Sequence, residues 1–301
     1  MRNELSILIP VYREDCTSQV ESLWNLCNRA CTLHPGFRFE FIVGDDGSGD
    51  EASVTANQRI NQLSGCRFIA FEENRGAAAM RNLLARMASY EWLLFLDCDM
   101  QLPDDLYVER FLQAPDASLV NGGIRIARQE GELQHNLRYM YESRHEAEHT
   151  AEERQKKPYQ SFRSTNFMVQ RSLMLRCPFD ESFRKSGYED VALGRSLSFA
   201  GVDLLNIDNP LVMTKFENNA AYMDKIDRSM HTLSEHRDTL RGYSGLLSLV
   251  EGMPRWMGLV VGSFHKRLGT LLRRNLAGTH PSLRLFNTYR VGLLATLIHG
   301  E

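Results

Sequence analysis

Short apolar runs punctuate the first hundred residues. Leu5–Val11 (LSILIPV), Phe39–Val43 (FEFIV), Arg67–Phe71 (RFIAF) and Trp92–Leu96 (WLLFL) each read as a strand. Their apolar character is too continuous for a sheet with one wet face. Between them the period lengthens. Cys16–Leu33 places Val20, Leu23, Trp24, Cys27 and Cys31 at helical spacing, and Glu51–Leu63 and the alanine-rich Ala77–Ala88 also read as helices. Strands that alternate with helices predict parallel βαβ units, with both sheet faces covered.

The pattern changes after Pro103. Leu133–Lys157 is long, charged and helix-compatible, and its Arg144–Lys157 part reads as a solvated face. His135, His145 and His149 in this stretch lack a third metal-ligand pattern and read as solvated too. A short strand, Asn166–Gln170 (NFMVQ), precedes FDESFRKSGYEDVALGRSLSFAG, in which Asp190–Ala200 reads as a helix. Arg255–Leu276 spaces Met257, Val260, Val261, Phe264, Leu268, Leu271 and Leu272 helically, with basic residues mainly elsewhere around the helix.

Charge divides the chain where periodicity does not. The net charge of −3 conceals a segment, Gly252–Gly300, with seven Lys or Arg and no Asp or Glu. The other 252 residues carry 28 basic and 38 acidic side chains. A composition of 43% hydrophobic and 24% charged residues is that of an ordinary globular chain. Six cysteines without a CxxC pair point to a reduced, cytoplasmic setting. The N-terminal MRNELSILIPVY turns polar too soon for a signal peptide, and no run reaches the roughly 20 apolar residues of a membrane span. The basic segment carries no recognised nucleic-acid module, so nucleic acid is not an expected partner.

Acidic clusters follow three of the strands: Asp45-Asp46, Glu72-Glu73-Asn74 and Asp97-Cys98-Asp99. In open parallel sheets the carboxyl ends of strands are where ligands gather. GxGxxG and GxxxxGK[ST] are both absent, which excludes the dinucleotide-binding fingerprint and the P-loop as the basis of binding. Asp97 and Asp99, two apart, point to one face of a regular strand and can converge on a hard divalent cation. Their plainer role would be to cap the turn before Pro103.

Five motifs in order, SILIPVYRED, VGDDGSGD, NRGAAAMRN, LLFLDCDM and GYEDVALGRSL, resemble the inverting nucleotide-sugar glycosyltransferases of family 2. The resemblance runs from about Leu5 to Gly201. FRSTNFMVQRS…FDESFRKSGYED is further similar to the galactosyl- and N-acetylgalactosaminyl-transferring branches. It implies a GT-A fold, an α/β architecture with a mostly parallel, Rossmann-like sheet flanked by helices, here with a C-terminal helical extension. The expected division is a catalytic domain over 1–220, with a nucleotide-binding half (1–102) and an acceptor-binding half (103–220), followed by a basic helical extension over 221–301.

The resemblance also implies roles. Pro10, Val11 and Tyr12 would border the nucleotide base, and Asp46 would accept the uracil imide N–H. Arg81 would reach the donor's diphosphate or ribose. Asp97 would contact the sugar or ribose, and with Asp99 it would hold Mn²⁺ or Mg²⁺. Asp190 would be the general base, with Glu189 and Asn166 contacting the acceptor. Without the resemblance these residues have ordinary readings: an Asx turn that Asp45 could make instead of Asp46, a surface arginine at Arg81, and acids complementing a helix N-terminus at Glu189-Asp190. One departure is plain. Where many relatives carry a metal-binding histidine, VMTKFENN offers only Lys215 or Glu217 as a substitute.

The expected activity is transfer of a hexose or N-acetylhexosamine from a UDP-sugar to a hydroxyl of a saccharide or lipid-linked acceptor, in bacterial surface-polysaccharide synthesis. The rivals are a non-catalytic sugar-nucleotide-binding scaffold and a phosphatase whose nucleophile lies in a DxD motif. Residues 255–276 are expected to meet a membrane surface peripherally, to pack on the catalytic domain, or to form a homodimer contact.

Overall fold

The computed structural model describes residues 2–128, 131–184 and 187–300. Among these residues ten strands form two sheets: β1 (Glu4–Val11), β2 (Arg38–Asp45), β3 (Cys66–Ala70), β4 (Trp92–Leu96), β5 (Met100–Gln101), β6 (Leu119–Asn121), β7 (Ile124–Ile126), β8 (Asn166–Gln170), β9 (Leu204–Asn206) and β10 (Leu211–Met213). The main sheet has seven strands in the order β3-β2-β1-β4-β8-β6-β9. Its β3, β2, β1 and β4 pair in parallel, and β8 runs antiparallel to both β4 and β6. A small sheet, β5-β10-β7, stands beside it.

The continuous apolar runs have the expected cause. In β1, Leu5, Ile7, Ile9 and Val11 enter one core while Leu8 enters the other. In β4, Leu94 and Leu96 face the first and Leu93 and Phe95 the second. Both faces are covered by helices, α1 (Thr17–Leu33) through Val20, Leu23 and Cys27 and α3 (Ala77–Met87) through Ala78, Met80, Leu84 and Ala85. This brings the carboxyl ends of β1, β2 and β4 side by side.

Two predicted helices are broken. The α2 helix (Glu51–Asn57) passes into a 3-10 turn over Gln58–Gln62. The stretch read as one helix over 133–157 is four short pieces. It holds a 3-10 turn at Glu132–His135, α5 (Leu137–Arg144), a second 3-10 turn at Glu146–His149, and α6 (Ala151–Lys156). Asn136 and Thr150 each cap a new start, accepting the backbone N–H of Tyr139 and Glu153. Side chains that bond their own backbone compete with helix continuation, so a charged run with two such residues fragments.

The remaining helices are α4 (Tyr107–Leu112), α7 (Arg171–Arg176), α8 (Glu189–Phe199), α9 (Asn219–Glu235), α10 (Arg237–Leu240), α11 (Gly245–Glu251), α12 (Arg255–Leu276) and α13 (Leu283–His299). The C-terminal helices share an apolar core with the GYED region. Phe183 and Ala192 pack with Met230, Leu233, Leu240, Leu247, Val250, Leu294 and Ala295. Helices α12 and α13 approach closely at glycine. A Cβ on Gly258 would lie 2.4 Å from the His299 ring, and one on Gly262 would lie 3.3 Å from Thr296 Cα. Among the described residues, no helix is long and apolar enough to cross a membrane.

Candidate active site

The turn after β2 assigns its two aspartates different work. Asp45 makes the Asx turn: its carboxylate accepts Ser48 N–H at 3.0 Å and the Ser48 hydroxyl. Asp46 reaches across to the start of α3, accepting the backbone N–H of Arg75 (2.8 Å) and Gly76 (2.9 Å). The Asn74 amide donates to the Asp46 carbonyl at 2.8 Å. A carboxylate has about four lone-pair sites, so Asp46 keeps acceptor capacity. It lines a cavity of about 670 Å³ with Pro10, Val11, Tyr12, Arg81, Asp97 and Asp99. Arg13, also on this wall, has φ of 54°, a strained value for a residue with a side chain. Ser48 holds it there, with the Arg13 N–H donating to Ser48 Oγ at 2.7 Å.

Beyond β4 the chain turns, and Gln19 of α1 pins the turn by donating to the Asp97 carbonyl (2.9 Å) and the Met100 carbonyl (2.7 Å). Asp97 faces Arg81 at 2.8 Å. Arg81 is no surface arginine. Its side chain is 5% exposed, and its other terminal nitrogen lies 3.7 Å from Glu189. Burial alone would lower this guanidinium's pKa, but Asp97 and Glu189 outweigh it and the value is raised. Among the described residues Arg81 Nε and Nη1 have no hydrogen-bond partner. Asp99 stands without Arg81's support, and burial followed by the Asp97 charge pushes its pKa up.

Glu189 and Asp190 begin α8, displayed by an unusual turn. Gly187 and Tyr188 both have positive φ (107° and 70°), and Tyr188 is the helix N-cap. Glu189 Oε2 accepts the Gly187 N–H at 3.1 Å, while among the described residues Asp190 accepts only the adjacent Val191 N–H, at 2.8 Å. Burial, then the Glu189 charge, raises Asp190 to about 6. Asp190 opens into a second cavity, of about 580 Å³, with Arg138, Arg163, Tyr222 and Lys225 on its walls. Asp97 and Glu189 line both cavities, whereas Asp190 lines only the second and Asp99 borders the first.

Several expectations are corrected. Asn166 does not face either cavity. It is fully buried on β8 opposite Leu96, accepting from Tyr107 Oη (2.7 Å) and donating to the Gly123 (2.8 Å) and Asn209 (2.9 Å) carbonyls. With its amide spent on the fold, it has no donor left for an acceptor. Neither substitute for the absent histidine is free either: Lys215 pairs with Glu14, and Glu217 with Arg138 and Lys225. The Arg144–Lys157 stretch is not simply solvated. Arg154 is buried, donating to the carbonyls of His149, Asn121, Gly122 and Ile207 and to the side-chain oxygens of Asn121 and Asn206. His149 is turned inward, 3.6 Å from Glu142, whereas His145 pairs with Glu148 and His135 is exposed beside His280. Lys185 and Ser186, just before Gly187, lie outside the described residues.

Arg138, Glu142, Arg163 and Lys225 were missed on the second cavity. Arg138 and Glu142, spaced i, i+4, share one helix face, which was the available signal. Burial would raise Glu142, but the His149 ring and the Arg163 and Arg138 guanidinium groups hold it down at about 2.

This arrangement of parallel strand ends, DxD turn and helix-borne acid pair is a GT-A architecture, and residues 6–191 match the Glycosyl transferase family 2 model. The chain belongs to that family and is a glycosyltransferase. Hyaluronan synthase of Pasteurella multocida is 38% identical over 77 residues, 25% of this chain and 8% of that protein. Chondroitin synthase of Escherichia coli is 30% identical over 110 residues, 36% of this chain and 15% of that protein. The matches thus span only a small part of these relatives. Among solved structures, Staphylococcus aureus TarS 1-349 in complex with UDP-GlcNAc aligns over 98% of this chain and 90% of its own, with a TM-score of 0.52 at 15% identity. The mannosyltransferase PcManGT from Pyrobaculum calidifontis, in complex with GDP-Man and Mn²⁺, aligns over 97% and 85%, with a TM-score of 0.53 at 13% identity.

Proposed function

We propose that the chain transfers a hexose or N-acetylhexosamine from a UDP-sugar to a hydroxyl of a saccharide or glycolipid, with inversion, in bacterial surface-polysaccharide assembly at the cytoplasmic side. The observation that carries this reading is the pair of cavities meeting at Asp97 and Glu189, with Asp190 on one side and Asp99 on the other. The nucleotide occupies the first cavity and the acceptor the second. Support for the donor and setting comes from relatives named hyaluronan, chondroitin and poly-beta-1,6-N-acetyl-D-glucosamine synthases, and from the TarS complex with UDP-GlcNAc.

Asp190 takes the acceptor hydroxyl's proton as that oxygen attacks the anomeric carbon, and the bond to the diphosphate breaks on the opposite face. With a pKa near 6 it is ionised at neutral pH yet basic enough to accept a proton. Glu189 orients the acceptor, and Arg81 keeps Asp97 and Glu189 in register.

Asp99 and Asp97 would hold a Mn²⁺ or Mg²⁺ ion, and they fit one. Both offer oxygen ligands, and the raised pKa of Asp99 is a penalty that a cation relieves. Bound there, the ion supplies charge stabilisation to the leaving diphosphate. Among the described residues His, Cys, Asp and Glu form no group of three or more about one point, so Asp97 and Asp99 would hold the ion together with substrate phosphate and water.

A thermal-shift panel of nucleoside diphosphates, with and without Mn²⁺, tests the reading. The expected result is stabilisation by UDP that grows with Mn²⁺ and is lost in Asp99→Ala. Absence of a shift with every nucleotide, in a chain that still unfolds cooperatively, would overturn it in favour of the scaffold.

A further inference from the structure

Twelve large apolar side chains are exposed among the described residues, and six of them stand on one helix. These are Trp256, Leu259, Val260, Phe264, Leu268 and Leu271 of α12, with Trp256 68%, Val260 61% and Leu271 62% exposed. The opposite face of the helix, Gly258, Gly262, Gly269 and Leu276, is buried, and α13 closes on its glycines. The exposed apolar face is therefore fixed by packing and does not rotate inward. Arg255, Lys266, Arg267 and Arg274 stand exposed on the same helix. Of its basic residues, Arg273 is neutralised within the chain, by Asp224 and Asp227 of α9.

We infer that α12 is a docking face for an anionic lipid surface, lying in the plane of the headgroups. Charge complementarity selects this occupant. The chain has no Asp or Glu between Gly252 and Gly300, so every charged side chain that α12 itself contributes beside the apolar face is a cation. A two-fold contact with a second copy would set that face against itself and bury like charges opposite one another. Acidic headgroups offer the missing counter-charge, and their acyl region takes Trp and Phe while long arginine stems reach back to the phosphates. The face is also coupled to the site. Helix α9, which pairs with Arg273, carries Tyr222, Lys225 and Ser229 on the wall of the second cavity. Docking therefore holds that cavity beside the membrane.

Flotation of the full chain with phosphatidylcholine vesicles, and with the same vesicles containing phosphatidylglycerol, tests the inference. Binding to the anionic vesicles alone, weakened by salt and accompanied by a blue shift of Trp256 emission, is expected. Each basic side chain contributes about fivefold, so the double variant Arg267→Gln/Arg274→Gln should bind roughly 25-fold more weakly. Replacing Trp256, Val260, Phe264 and Leu271 by serine should weaken binding by more than about tenfold. Both variants replace exposed side chains, and unchanged thermal midpoints confirm that they fold. No binding to anionic vesicles at low salt would overturn the inference. So would a wild-type dimer that the serine variant converts to monomer while vesicle binding stays absent.

Discussion

The two sides of the site are held by different means. The proposed donor side is held mainly through backbone at strand ends: Asp45 accepts from the Ser48 N–H, Asp46 from the backbone N–H of Arg75 and Gly76 at the start of α3, and Gln19 donates to the carbonyls of Asp97 and Met100. The acceptor side is assembled from distant segments. Arg154 ties the 120s to the 200s, Asn166 ties β8 to Tyr107 and Asn209, and cavity residues come from α5, α8 and α9. The first cavity therefore rests largely on bonds to backbone, and the second on buried polar side chains. Damage to the second should cost more stability, and damage to the first more affinity.

The largest effect belongs to the acid that serves one side alone. Asp190→Asn should lower the transfer rate by roughly 10²–10⁴-fold while leaving the UDP-induced thermal shift in place. A variant with unchanged turnover would remove Asp190 from the chemistry. Wild-type activity should rise with pH through about 6 and level off above it, because the base must be ionised. The same group makes a stability signature. Its folded pKa lies above the ordinary 3.8, so it weakens the fold as pH rises from about 4 to 6, and Asp190→Asn should flatten that decline. Glu142 has the opposite sign. Its folded value, about 2, lies below the ordinary 4.5, so the stability it gives is complete above that value and is lost as pH falls toward 2. Glu142→Gln should abolish that acid-side loss.

Next comes Arg154→Ala, which strands buried carbonyl and amide oxygens and should cost on the order of 3 kcal/mol or more. A lower urea midpoint at unchanged slope would report it. A midpoint within error of wild type would show that water or rearrangement replaces the guanidinium, and the contrast between the two sides would fail. The smallest effect is expected on the donor side. Gly47 has φ of 65°, and a Cβ there would lie 2.5 Å from the Asn74 nitrogen. Gly47→Ala should cost about 1–3 kcal/mol of strain, and the loop carrying Asp46 should shift. Calorimetry should then show UDP affinity falling while turnover at saturating donor changes little.

This contrast also governs what the sequence made legible. Strands β4 and β8 match their predicted limits residue for residue because an apolar run reports its own burial, and helix α12 matches because a sustained period reports a helix, although its apolar face is exposed. The position of Asp46, Asp97 and Asp99 was readable for a like reason: a carboxylate next to a strand end needs no long-range information to be placed there. Asn166 was misassigned because proximity to a motif does not say which way an amide turns, and its partners lie more than forty residues away. Arg154 was misread because a charged residue in a charged stretch looks solvated until its acceptors arrive from β6, β9 and the segments beside them. The breaks at Asn136 and Thr150 rest on local side-chain caps, which a charge pattern does not report.

Arg81 has a thermodynamic consequence. One guanidinium is shared by Asp97 and Glu189, which line both cavities, and among the described residues two of its nitrogens have no hydrogen bond. Charge arriving beside Asp97 should change how strongly Arg81 is drawn toward Glu189, so occupancy of one cavity is expected to be felt in the other. Such linkage is reciprocal: whatever factor the donor applies to acceptor affinity, the acceptor applies to donor affinity. Under the proposed function the two substrates would be partners in a single binding equilibrium, joined at one side chain.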